Sequence, residues 1–135
     1  MDVTTAMLAD AARVEAGKLF IHGGGWDLIQ VPALPFTQPS MALALIFRVP
    51  YDEALTDIPI LIELVDEDEN SMGPRIEGVI NAGHPPRTRR GTPTFQPLAM
   101  SFTLLPFEHE GGYRFKVMSG DQELASIPFR VRTAA

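Results

Sequence analysis

In the stretch MALALIFRV, Met41, Leu43, Leu45, Phe47 and Val49 alternate with Ala42, Ala44, Ile46 and Arg48. A period of two puts the first set on one face of an extended strand and the second set on the other. The alternation returns in PLAMSFTLL, where Leu98, Met100, Phe102 and Leu104 oppose Ala99, Ser101 and Thr103. It returns again in YRFKVM (Tyr113, Phe115 and Val117 against Arg114 and Lys116) and in ASIPFRVR (Ala125, Ile127, Phe129 and Val131). Helical periodicity is weak. The pattern predicts about eight strands, near residues 3–10, 18–30, 41–49, 58–65, 75–81, 97–105, 112–118 and 123–132.

The connections agree with that reading. SGDQ (Ser119 to Gln122) is a tight hairpin signal, EAGK supplies a second turn with Gly17 free to take positive φ, and DEDENSMG is a polar turn. Pro59 and Pro128 fall inside strand-like runs, which predicts a sheet edge or a bulge at each. One segment is two-sided: TTAMLADAARVEA is rich in helix formers and allows one short helix capped by Thr4 or Thr5, although strand is the preferred reading. The stretch from Asn81 to Pro97 holds four prolines without periodicity and predicts a flexible Pro/Arg-rich loop at about 82–96. The expected fold is all-β: a single-domain antiparallel β-sandwich over 1–135, Ig-like or jelly-roll-like. Its expected core is Leu43, Leu45, Phe47, Ile60, Ile62, Phe102, Tyr113, Phe115, Ile127 and Phe129.

Composition narrows the function classes. The 135 residues hold no cysteine, which removes disulfides, thiol nucleophiles and thiolate metal sites. The longest apolar runs fall far short of the ~20 residues a membrane helix needs, and MDVTTAMLAD lacks the basic and apolar regions of a signal peptide. A soluble cytoplasmic protein is the expectation. A net charge of −6 argues against a general nucleic-acid binder, which needs clustered lysines and arginines. The charge is unevenly spread: eight acids and no base lie between Asp52 and Glu69, and three arginines and no acid between Gly83 and Thr94.

Several short motifs invite chemical readings. HGGGW (His22 to Trp26) spells the oxyanion loop of many lipases and esterases, but no G-x-S-x-G elbow accompanies it and the chain is too short for that fold. Three glycines are better explained as a bulge where a long strand bends between sheets, with Trp26 packed beside the bend. His22, His84 and His109 have no metal-ligand spacing. Asp66, Asp68 and Asn70 alternate as a calcium loop begins, yet the required glycine and final glutamate do not follow.

The order LAD, then GKLFIHGGGWDLI, then IELVDED and GGYRFKVMSGDQELASIPFRV resembles a family of uncharacterised bacterial proteins catalogued as a domain of unknown function. Ala9, Asp10, Gly17, Lys18, Gly111 or Gly112, Tyr113 and Phe115 carry the likeness. The triple glycine and the arginine-rich loop depart from it. The resemblance implies a β-sandwich and supplies no catalytic residues.

These observations predict a non-catalytic interaction or assembly module, with no cofactor and no metal, partnered by copies of itself or by another protein. Arg87, Arg89 and Arg90 would grip an acidic surface through guanidinium forks. Asp66, Glu67, Asp68 and Glu69 of a second copy offer one. The alternative is a sandwich that binds calcium or a small polar ligand through its acidic loop. A small enzyme ranks third, because it would need the histidines to converge with a carboxylate.

Overall fold

The computed structural model describes residues 1–134 and is all-β, with nine strands. They are β1 (Asp2–Glu15), β2 (Lys18–Gly24), β3 (Leu28–Val31), β4 (Phe36–Val49), β5 (Ile58–Asp66), β6 (Ser71–Ile80), β7 (Thr94–Phe107), β8 (Gly111–Ser119) and β9 (Gln122–Thr133). Two sheets stack face to face, one in the order β2-β1-β4-β7 and the other in the order β3-β9-β8-β5-β6. The β-sandwich expected from the alternation is the architecture found. Among the described residues no helix is long and apolar enough to cross a membrane.

The alternation does what a period of two should. Met41, Leu43, Leu45, Phe47 and Val49 of β4 meet Ile62, Leu64, Phe115, Val117, Phe129 and Val131 of the opposite sheet in one core. Tyr113, Phe115 and Phe129 stack at centroid separations of 5.7 and 6.0 Å, with Phe107 edge-on to Tyr113 at 5.1 Å. Nine of the ten expected core residues are buried, and Phe102 is half-buried against that cluster. Leu8, Val31 and Phe107 join them from segments whose pattern is less regular.

The first segment is a strand, as preferred, 14 residues long and without the short helix its composition allowed: pairing with β2 on one side and β4 on the other satisfies its backbone better than local propensity could. Three expectations are corrected. The run 18–30 is not one strand with a bulge. β2 ends at Gly24 in the first sheet, residues 25–27 cross the sandwich, and β3 resumes in the second. Its partner there is β9, in parallel, so the sheets are not purely antiparallel. Finally, β5 and β9, which carry Pro59 and Pro128, are interior strands, although β8 pairs β5 only from Leu61 and β3 pairs β9 only from Arg130. Each proline therefore uses a locally open flank inside a strand whose neighbour starts late.

Small residues shape the first sheet. In a flat sheet β1 and β7, on either side of β4, would lie about 9.5 Å apart; here they approach within 8 Å at the Cα level, and β2 also reaches β7. Ala9 pairs with Ala42, and Ala44 lies between Met7 and Ala99, all on the face turned away from the core. Ala9, Ala42 and Ala44 nevertheless have no exposed surface. A face lined with methyl groups leaves room for the sheet to curl over it, and the curl buries them.

Candidate functional site

The strand directions put the charged segments at two ends. The acidic turn joins β5 to β6 at one pole, where the β7–β8 loop also lies, because Tyr113 pairs with Asp66. The arginine loop joins β6 to β7 at the other pole, beside the β4–β5 loop. The ten residues of β6 separate them, about 30 Å of extended chain. The Asp52–Glu69 stretch, one acidic block in sequence, is thus divided: Asp52, Glu53 and Asp57 sit beside the arginines, and Asp66 to Glu69 at the far end.

At the acidic pole most carboxylates are already engaged. Asp66 Oδ1 accepts the backbone N–H groups of Asp68 and Asn70, each at 2.9 Å, and Asn70 Nδ2 donates to its other oxygen at 3.3 Å. These bonds, that from the Asn70 N–H foremost, hold the Asp66 carboxyl below the ordinary carboxylate range. Glu67 accepts the N–H of Gly112. Glu69 accepts from Arg114 Nη2 at 2.6 Å and from Lys116 Nζ at 3.2 Å, which lowers its pKa as well. Arg114 also holds Glu123 at 2.6 Å and Ser126 at 3.0 Å. Glu110 takes the backbone N–H and hydroxyl of Thr133, and its pKa is lowered chiefly by that hydroxyl.

The arginine loop is built from two successive turns. Thr88 donates its N–H to the Pro85 carbonyl, and Thr92 its N–H and hydroxyl to the Arg89 carbonyl at 3.1 and 2.6 Å. The N–H of Gly83 on the Ala54 carbonyl (2.6 Å) and the His84 ring stacked on Tyr51 (4.0 Å between centroids) tie the loop to its neighbour. Arg87 takes φ of 68°, a conformation that costs a non-glycine residue about 1 kcal/mol or more. Arg87, Arg89 and Arg90 are exposed, and none has an ion-pair partner among the described residues, although Asp52 and Asp57 lie in the adjoining loop.

The residues that catalysis or calcium would need are not brought together. His22 is on β2, His84 in the arginine loop and His109 at the acidic pole. The oxygens of Asp66 already accept from two backbone N–H groups and the Asn70 side-chain amide, and among the described residues no three His, Asp or Glu side chains group as metal ligands. A cleft of about 410 Å³ does open beside the acidic turn, lined by Asp27, Glu67, Glu69, Arg114, Pro128 and Arg130 among others. Sequence reasoning missed the neighbours of that turn: Glu110 and His109, which line a hollow with Asp66, Glu67 and Asp68, and the clamp of Arg114 and Lys116 on Glu69. The sole hint was outward-facing Arg114 and Lys116 on a strand of unknown partner.

A family model, described as a family of unknown function (DUF6941), matches residues 4–132, so the chain belongs to that family. No curated protein matches it.

Proposed function

We propose that this member of the DUF6941 family is a non-catalytic interaction module that associates with copies of itself, the arginine pole of one copy against the acidic pole of the next. The observation that carries the reading is the unpaired state of Arg87, Arg89 and Arg90 on a loop braced by two threonine-closed turns. Guanidinium groups held outward on such a loop suit bidentate capture of carboxylates. The strained φ at Arg87 fits a position kept for its side chain rather than for its backbone. The lowered pKa values of Asp66, Glu69 and Glu110 keep the opposite pole charged well below neutral pH. Because the two surfaces differ and lie at opposite ends, the contact is head-to-tail and builds a ring or an open row rather than a two-fold pair.

Light scattering at low and high salt tests this. A mass above one chain that falls as salt rises, and that is lost in Arg87→Glu/Arg89→Glu/Arg90→Glu, is the expected outcome. A single-chain mass at both salts removes the reading. The cleft beside Arg114 and Arg130 favours a second one, capture of a small ligand carrying both charges, since its size is in the range of small-molecule sites. A saturable thermal shift with such ligands, lost in Arg130→Ala, is its signature; no shift with any of them ends it.

A further inference from the structure

The edge strand β6 carries unused backbone groups, and their direction can be derived. Ser119 donates its hydroxyl to the Pro59 carbonyl at 2.7 Å, so the polar backbone of Pro59 faces β8 and away from β6. Pro59 pairs with Val79, Leu61 with Glu77 and Glu63 with Arg75, with no register shift among them. In an antiparallel ladder this alternation turns the N–H and C=O groups of Arg75, Glu77 and Val79 outward, to the open side of the sheet. No strand covers them in this chain, because β6 ends the order β3-β9-β8-β5-β6. The strand is blunted at its start, where Gly73 takes φ of 111° and Pro74 follows, but not over residues 75–79.

We infer that β6 pairs with β6 of a second copy, antiparallel about a two-fold axis, in the register that sets Arg75 opposite Glu77 of the partner and Glu77 opposite Arg75 of the partner. The choice of occupant and register comes from charge. Outward-facing residues alone can form the hydrogen-bonded pairs. Centring on Glu77 would oppose two glutamates, whereas centring on Ile76 opposes unlike charges twice. Arg75 and Glu77 are exposed, and both project from the outer face of the sheet. The pairing supplies about four backbone hydrogen bonds and joins two five-stranded sheets into one. It covers a flank of Val79, which is 59% exposed on the same edge. This interface goes beyond the charged-pole reading, uses none of its residues and stands if that reading fails.

Sedimentation of the full chain tests it, with and without the Arg87→Glu/Arg89→Glu/Arg90→Glu change that removes the pole contact. A two-chain species that survives the triple change is expected; a single-chain species in the triple variant overturns the inference and leaves the pole reading standing if the parent alone associates. Within that triple background, Arg75→Glu or Glu77→Lys alone opposes like charges and weakens the dimer roughly tenfold or more. An equimolar mixture of those two variants opposes unlike charges at both positions and restores it. Failure of the mixture to dimerise, with each variant retaining a parent-like far-UV spectrum, overturns the register. Glu77→Pro, which removes an outward N–H that this register uses without touching the ladder to β5, abolishes the dimer in a folded chain; a dimer unaffected by it overturns the edge itself.

Discussion

Across the outward face of β1, β4 and β7 run Met7, Ala9, Ala42, Ala44, Ile46 and Ala99; across that of β5, β6 and β8 run Glu63, Arg75, Glu77, Arg114 and Lys116. Both faces look away from the same core, and each deals with water differently. The alanine face lets its sheet curl until β1 and β7 approach one another, and it covers itself. The charged face is held by ion pairs, Glu63–Arg75–Glu77 on one side and Glu123–Arg114–Glu69–Lys116 on the other. Long charged side chains line that sheet, and its last strand, β6, keeps a free edge. Side-chain size on the outward face thus decides which sheet closes on itself and which can receive another strand.

Enlarging a residue on the closed face should break the comparison most severely. Ala44→Leu puts three extra carbons where no surface is exposed, and overpacking of this kind costs about 1–3 kcal/mol. Gly24→Ala belongs to the same class, since a Cβ there would lie 2.6 Å from Ile21 Cγ2 and 3.0 Å from Met7 Sδ. On the charged face Ser126→Leu, at an exposed position, gives up one hydrogen bond from Arg114 and should cost less than about 1 kcal/mol. Urea unfolding of the three variants checks the contrast. Equal losses for Ala44→Leu and Ser126→Leu would mean that the alanine face is not closed.

The division between the faces was partly legible in the chain. Ala42 and Ala44 stood out as small residues opposite Met41, Leu43 and Leu45, yet nothing local says that a sheet will fold over them. The helix formers of TTAMLADAARVEA left a helix open as an alternative, because propensity is weak against two flanking strand partners and one of them, β4, lies far away in sequence. HGGGW marked a bend between sheets correctly; that the chain then joins β9 in parallel depends on residues a hundred positions later. The split of the acidic block was present in the strand pattern, since a strand between Ile58 and Val65 must carry its two ends apart. What could not be read was the clamp on Glu69, because strands β5 and β8 are paired by topology and not by proximity in the chain.

Smaller effects sharpen the same contrast. Arg114 is the hinge of the charged ladder, with about a quarter of its side chain exposed and contacts to Glu69, Glu123 and Ser126. Arg114→Met should cost about 1 kcal/mol, since partly shielded, multiply bonded pairs exceed the typical surface bridge only modestly. A double-mutant cycle with Glu69→Gln measures the share due to that pair, and a zero coupling energy would make the ladder ornamental. In the curled sheet, Ala16 and Gly17 form the β1–β2 turn with φ of 52° and 72°. A two-residue turn with both central φ positive favours Asn-Gly, so Ala16→Asn should raise stability by about 0.5–1 kcal/mol. Thermal unfolding reads that gain.

Acid should then separate the two sheets most gently. Asp66, Glu69 and Glu110 all have pKa values lowered in the folded chain: Asp66 mainly by the Asn70 N–H, Glu69 by the Arg114 side chain and Glu110 by the Thr133 hydroxyl. A carboxyl whose folded value lies below its unfolded value contributes stability that is fully present above the unfolded value. That contribution is lost as pH falls from about 4 through the lowered values. The alanine face holds no such group between Ala9, Ala42 and Ala44. NMR shifts of the Asn70 and Thr133 amides and of the Arg114 Nε–H, which report Asp66, Glu110 and Glu69, should therefore move between pH 6 and pH 2 with midpoints below the ordinary carboxylate range, while the amides of Ala42 and Ala44 stay level. Midpoints at the ordinary values would mean that solvent, and not the β5–β6 turn and its arginine clamp, sets the protonation of this pole. In that case Arg114 and Lys116 do not hold the turn, and the charged face is open for want of bulk neighbours alone.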